Sequence, residues 1–468
     1  MSRALAVIDL RETPATTPTR RKNLASVRLS PGGYFAAAAI LTFVAVVCLR
    51  TDRNLIALVL VVTTWTLMPV IIFCDRLSFD GETLKRTGVH ALAERLLRCS
   101  RTLKLVDVER VEVTSVRMLR RGGDVRYRYR VDVMGNDQSF AFVSGGRQFR
   151  RMVQALLPQV AAHKLDQRAC ELRDHLVAVR VVRAEAERLG IASVAVLENA
   201  KAAAEKRIEK HRREPTGANT EAELERAMLL RRVANDLRTN GRLQQSAEAF
   251  RRALLITPHN GWLIYEYARL LKSQASAFGE ARLLSRACAA LTLASRRSSG
   301  EARLLERIGE SFLEYCDPSR AARIFRRALE LDENAYRAQL GLAEVALTQG
   351  KLAHVIHHYN EAARIAPDKP CGRLARREAD YYTRLNSDED YLAAELRRMN
   401  WLESAGRIQR LTARISFASL LVALVGSSID QFVAGVGWAV ASSSIIAWSG
   451  SVVVRRLLST RRRLTVDA

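Results

Sequence analysis

Four short echoes run through the middle of this chain. Phe250 and Ala253, Leu284 and Ala287, Phe325 and Ala328, and Tyr359 and Ala362 each set a large apolar residue three places before an alanine. The alanines fall 34, 41 and 34 residues apart. Residues three apart share a helix face, and a 34-residue period is the length of a helical hairpin. Such a hairpin cannot bury its apolar side alone and must stack on a neighbour. The middle of the chain is therefore expected to be an α-solenoid, an architecture that presents a surface.

Apolar runs lie at both ends. Residues 34–49 and 55–74 are apolar and separated by Arg50-Thr-Asp-Arg53, while residues 415–429 and 432–454 are apolar and separated by Asp430 and Gln431. Each is close to the roughly 20 residues that cross a hydrocarbon core. The pattern predicts two transmembrane hairpins, over 33–74 and 413–455, with Gly426, Gly435, Gly437, Gly450 and Ser442–Ser444 allowing close helix contact in the second. A secretory signal peptide is the competing reading of the first run, but its basic leader is long and a second span follows at once. The second pair has a competing reading as a buried soluble helix pair.

Formal charge is +25 over 468 residues, with clusters at Arg20–Lys22, Arg120–Arg121, Arg126–Arg130, Arg455–Arg456 and Arg461–Arg463. Nucleic-acid binding would use such cations, yet no groove-reading motif accompanies them. Basic flanks beside apolar spans instead fit anionic lipid and the cytoplasmic side of a membrane. Both termini, a basic disordered tail over 1–32 and another over 456–468, and the whole soluble region are then expected on the cytoplasmic face of the inner membrane. Seven cysteines without a paired spacing read as free thiols.

Between the spans the pattern changes twice. Val106, Val108, Val111 and Val113, the alternating run Val125–Val133 and Ser139–Val143 predict antiparallel strands, followed by a helix from Phe149 to Leu157. This small β+α unit is assigned 76–162. Its place after an apolar hairpin and its strand–strand–strand–helix ending resemble the bacterial pleckstrin-homology-like domains of membrane proteins. That resemblance implies assembly or lipid-adjacent binding. Arg126, Arg128 and Arg130 share one strand face, which reads either as a solvated stripe or as a phosphate or headgroup contact.

Residues 163–213 are charged and alanine-rich, predicting connecting helices, and Thr220–Glu223 forms a capping-box pattern at the start of a helical domain over 220–412. Within it, Val233, Ala234 and Leu237 precede Ser246, Phe250, Ala253 and Pro258. Ile308, Gly309 and Phe312 precede Ala321, Phe325 and Ala328. Leu342, Ala343 and Ala346 precede Val355, Tyr359, Ala362 and Pro367. These residues resemble the tetratricopeptide repeat (TPR), over about 227–369. Gly241 and Gly350 stand where the turn within a hairpin needs a permissive residue. The second unit departs: Tyr267, Ala268 and Leu271 fit, but Glu280 takes the small position, Thr292 stands where proline would, and seven extra residues follow; the third carries Glu333 at the proline position.

The TPR resemblance implies a groove lined by the first helices and used for a protein or peptide partner. The polar first-helix positions are Asn235, Arg238, Glu266, Arg269, Glu310, Glu314, Gln339 and Glu344. No catalytic, cofactor or metal set is expected. His354, His357 and His358 lack an HExxH glutamate, the glycine pairs 122–123 and 145–146 lack a following Lys-Ser/Thr, Ser144-Gly-Gly is no nucleophile elbow, and Asp388–Asp390 suits a helix start. Residues 390–412, with Trp401, either rest at the membrane interface or cap the array. The expected whole is mainly α, a TPR-like solenoid and a small antiparallel β domain closed by a helix, flanked by two transmembrane hairpins. The expected function is that of a non-enzymatic scaffold contacting partner protein and membrane lipid, with no specific nucleic acid; an accessory subunit of a membrane transport or envelope-assembly complex is the alternative.

Overall fold

The computed structural model describes residues 24–28, 32–89, 91, 102–119, 125–136, 138–192, 221–298 and 300–458. The Arg120–Arg121 cluster, most of the N-terminal tail, residues 193–213, the Thr220 cap and the last residues of the C-terminal tail lie outside this set.

Strand β1 (Ala25–Arg28) precedes two apolar helices, α1 (Gly32–Arg50) and α2 (Asn54–Cys74), which pack on each other across a three-residue turn. The chain returns as β2 (Arg76–Phe79), β3 (Thr83–Thr87) and β4 (Thr102–Lys104). These form an antiparallel sheet in the order β1-β2-β3-β4, with Ala25 opposite Phe79 and Leu77 opposite Arg86. The apolar pair is thus an excursion between adjacent strands. The expected disordered tail is corrected over 25–28, because Ala25 and Val27 point into a core that also holds Leu77, Phe79, Leu84 and Leu103. A strand of four residues carries too little periodicity to show itself in sequence.

The second sheet, β5 (Arg110–Leu119), β6 (Val125–Gly135) and β7 (Gln138–Val143), is an antiparallel meander, with Val131 opposite both Val113 and Phe142. Along β6 the valines and tyrosines face inward and Arg126, Arg128 and Arg130 face solvent, as period two requires. Helix α3 (Gly146–Leu156) lays Phe149, Met152, Val153 and Leu156 on the same core, so both sheets and the helix share one apolar interior.

Two short helices follow, α4 (Gln167–His175) and α5 (Val179–Arg188). The array then runs as four hairpins: α6 (Glu221–Thr239) with α7 (Leu243–Ile256), α8 (Gly261–Phe278) with α9 (Ala281–Arg297), α10 (Ala302–Glu314) with α11 (Pro318–Leu331), and α12 (Tyr336–Thr348) with α13 (Leu352–Arg364). The four repeat alanines, Ala253, Ala287, Ala328 and Ala362, are all 0 % exposed. Gly241 and Gly350 take φ +80° and +71° at their turns, while the third hairpin turns on Cys316 at φ +62°. In the second hairpin α8 runs ten residues past Ala268, against five past Ala234 in α6, so Glu280 falls at the turn, just before α9. With Thr292 in place of proline, α9 continues ten residues past Ala287 where α7 and α11 stop three past their alanines. The seven-residue insertion is two extra helical turns.

Phe325 ties two hairpins together. Its ring lies where a β-carbon on Gly309 would stand 2.5 Å away and one on Gly341 2.3 Å away. Glycine on both flanking helices lets the backbones close on one aromatic ring, whose burial contributes about 1.5–3 kcal/mol. Gly341 belongs to the next hairpin, so the wedge sets the stacking as well as the hairpin.

Helix α14 (Lys369–Ser387) packs on α13, and α15 (Glu389–Gly426) is one continuous helix of 38 residues, capped by Asp388. The amphipathic stretch 390–412 and the third apolar run are therefore a single rod. It pairs with α16 (Gln431–Leu458), where a β-carbon on Gly437 would stand 2.6 Å from Ala423 and one on Gly426 2.8 Å from Ala434. Ser416 and Ser444 hydroxyls meet at 2.7 Å across the pair, and α16 also touches α1. Among the described residues, α2, α15 and α16 are long and apolar enough to cross a membrane; within α1 the apolar stretch Ile40–Leu49 is shorter. The four expected spans thus stand as three, with α1 the shorter companion of α2.

Replacing Gly341 with alanine is expected to lower the melting temperature of the detergent-solubilised protein, because overpacking costs about 1–3 kcal/mol. Gly406→Ala in α15, where a β-carbon meets nothing within 4 Å, is expected to leave it unchanged or raise it.

Candidate functional site: the inner face of the helical array

The first helices α6, α8, α10 and α12 touch one another in order and line one face of the array. Along this face runs the chain's own segment 160–192, in the direction opposite to the repeats. At the fourth hairpin, Arg337 donates from Nη1 to the carbonyls of Ala162, at 3.0 Å, and Leu165, at 2.5 Å. At the third, Gln167 donates to Ser311 Oγ at 2.8 Å and also meets the Tyr265 hydroxyl. Arg307 Nη2 lies 2.9 Å from Cys170 Sγ. At the first, Thr239 Oγ1 donates to the His175 carbonyl at 2.9 Å, and His175 Nδ1 lies 3.0 Å from Asp236 Oδ1. Val182 and Ala186 of α5 then bury against α6 and α7, and Gln245 donates to the Ala192 carbonyl at 3.0 Å.

Asp166 starts α4 and joins it to the sheet. One carboxylate oxygen accepts from Ala169 N at 2.6 Å as an N-cap, and the other accepts from Val113 N of β5 at 2.9 Å. Glu171, one turn on, is the centre of the seam. Its two oxygens accept from Arg269 Nε at 3.0 Å and Arg238 Nη1 at 3.1 Å. Both arginines are nearly fully buried. Burial pushes the Glu171 carboxyl up, but the two guanidiniums outweigh it and hold the group well below the usual carboxylate range. Arg269 also pairs with Glu314, which accepts from Arg168 at 2.9 Å. Burial opposes ionisation of Glu314 too, and Arg269 with Arg168 still bring it down to about 2.

The eight first-helix positions read from the sequence divide among several contacts, and Gln339 turns away to the second helix α13. Arg238, Arg269 and Glu314 hold α4 directly. Asn235 donates to Glu266 at 2.8 Å, and Glu266 receives both nitrogens of Arg231 at 2.6 Å each. Glu310 orients Arg337 at 2.7 Å. Glu344 faces Arg110 of β5 at 3.8 Å, and Gln339 meets His358 at 3.0 Å. The residues that sequence reasoning missed are Asp166, Gln167, Arg168 and Glu171, hidden in a stretch read as a connector. Their only signal is the helix-start pattern at Asp166.

The β unit is also held at both ends of the array. Tyr129 donates to the Thr239 carbonyl at 2.9 Å, and Val125 N to the Gly241 carbonyl at 3.1 Å. Arg377 of α14 reaches the buried Glu109 at 3.1 Å. Nearby, His163, Asp368 and Cys371 gather within metal-binding reach. Asp368 is committed instead: it accepts from Lys164 at 2.9 Å and caps α14 through Cys371 N at 2.9 Å. Burial pushes the Cys371 thiol up to about 12.

No protein-family sequence profile and no curated protein matches this chain. Solved structures with some likeness include the MamA protein, at 19 % identity over 36 % of this chain and 95 % of that one, with a TM-score of 0.26. YrrB, described as a TPR protein with an unusual peptide-binding site, is 17 % identical over 36 % of this chain and 91 % of that one, TM-score 0.26. The hetero-tetramer Cut9–Hcn1 gives 11 % identity over 66 % and 63 %, TM-score 0.29. The repeat fold rests on the four stacked hairpins themselves.

Glu171→Gln leaves two buried guanidiniums short of a counter-charge, and breaking a buried pair costs about 3–5 kcal/mol. Its expected result is a lower melting temperature with faster amide exchange in 160–192, read by hydrogen-exchange mass spectrometry. The Glu314 contribution is fully present above its unfolded value of 4.5 and is lost as pH falls towards 2. Exchange protection of α4 is therefore expected to decline across that window, and to decline less in Glu314→Gln.

Proposed function

We propose that the chain is a non-enzymatic, membrane-anchored scaffold that binds a partner protein or peptide through its helical array. The observation that carries this reading is that the inner face already holds a peptide segment, the chain's own residues 160–192. It does so with groups that read a backbone and its charges: Arg337 on two carbonyls, and Arg238 and Arg269 on one carboxylate. The same surface suits a partner segment with an acidic side chain. Apolar helices before and after the soluble part keep the array at the surface of the inner membrane, and the basic flanks favour the cytoplasmic side. Two sheets and a helix over one core support reading the β unit as a pleckstrin-homology-like adaptor between membrane and array.

An accessory subunit of a transport or envelope-assembly complex would spend its small intramembrane residues on another chain. Gly426 and Gly437 are spent on the α15–α16 pair itself, whereas Gly435 and Gly450 face open space.

The test is capture of crosslinked proteins from membranes by the tagged full chain, beside a chain lacking 221–387 but keeping the apolar helices. At least one protein is expected with the full chain alone. Identical captured sets would overturn the proposal.

A further inference from the structure

Beside the α4 seam, the inward face of β5–β6 does not close on the array. It leaves a cavity of about 530 Å³ bounded by β5, β6, α4 and the first helices α6, α8 and α10. Its lining carries five cations, Arg117, Arg168, Arg238, Arg269 and Lys272, against two carboxylates, Glu171 and Glu314. Both carboxylates are fully used by Arg168, Arg238 and Arg269. Arg117 and Lys272 have no carboxylate within ion-pair distance among the described residues, and Lys272 Nζ rests 5.0 Å above the Tyr315 ring. Arg238, 6 % exposed, keeps its Nε–H buried and without an acceptor. The lining therefore carries three more cations than carboxylates, with Arg117 on its exposed rim and Lys272 half-buried, a surplus that attracts an anion.

We propose that this cavity binds a phosphate group. Three surplus charges call for an anion with more than one negative charge. The donors are guanidinium and ammonium N–H groups together with hydroxyls of Ser115 and Ser276, the set that phosphate oxygens accept from. Tyr127 and Tyr129, whose ring centroids are 5.9 Å apart, supply an apolar wall for the rest of the ligand. The phosphate bridges Arg117 of the β unit to Arg238 and Lys272 of the array, so its binding tightens the junction that α4 already makes. The volume suits a small molecule.

The test uses the full chain in detergent micelles and in nanodiscs. Inorganic pyrophosphate, followed by calorimetry and by the rise in melting temperature, is expected to bind saturably. Arg117→Ala and Lys272→Gln remove no ion pair, and each is expected to weaken binding about tenfold, the loss of one charge-assisted contact. Arg126→Ala, on the opposite face of β6, is expected to leave it unchanged. Nanodiscs with phosphatidic acid form the second arm: tighter association with these than with neutral lipid, lost in both cavity variants while pyrophosphate stays unbound, assigns the phosphate to a lipid headgroup. The proposal is overturned if neither probe binds saturably, or if binding survives Arg117→Ala and Lys272→Gln.

Discussion

Two buried guanidiniums on the inner face of the array require a counter-charge that the array does not supply in full. Glu171 supplies it from α4, one oxygen to each arginine. Neither side of this contact is comfortable alone, since an unpaired cation in a dry site costs several kcal/mol. The β unit, the segment 160–192 and the four hairpins therefore behave as one body. Buried ion pairs are poor sources of net stability compared with apolar packing, but they discriminate strongly between right and wrong partners. The seam's role is accordingly one of register: it decides which segment lies on the array and in which direction.

The array itself depends on small residues facing large ones. Phe325 fills the space left by Gly309 and Gly341, and the repeat alanines do the same in each hairpin. Helices α15 and α16 use the same device in an apolar setting, with Gly437 on Ala423. Burial drives the soluble stack; in lipid, where water is absent, close van der Waals packing has to serve instead. The long rod α15 joins the two regimes without a break, so the array's last helices are mechanically continuous with the membrane-competent pair.

This arrangement shapes the functional reading. A repeat array whose inner face were empty would be a simple receptor. Here a short polar helix occupies it, flanked by a basic cavity against the sheet. Arg238 and Arg269 serve both the α4 seam and the cavity lining, so under the proposed function an occupant of either place would change the other.

Much of the architecture was legible in the residues. The apolar-to-alanine echo located four hairpins, the alternation of β6 separated Tyr127 and Tyr129 from Arg126 and Arg128, and Gly241 and Gly350 marked turns. Helical spacing put Arg238, Arg269 and Glu314 on the face that meets α4, whereas Gln339, five residues before Glu344, turns to the second helix α13. Less was legible where the signal was short or non-local. Strand β1 has only four residues and finds its partner across two apolar helices. The second hairpin turns on Gly279, four residues after position 275, where the 34-residue period from Gly241 points. Nothing in 163–213 announced that Glu171 meets Arg238, 67 residues away, and Arg269, 98 residues away. Periodicity along a chain determines which residues share a face, and by itself it located the repeat helices, strands β5–β7 and the long apolar helices. What lies against each face was decided only by the folded whole, because charge pairing and cavity shape depend on distances in space that no spacing in sequence records.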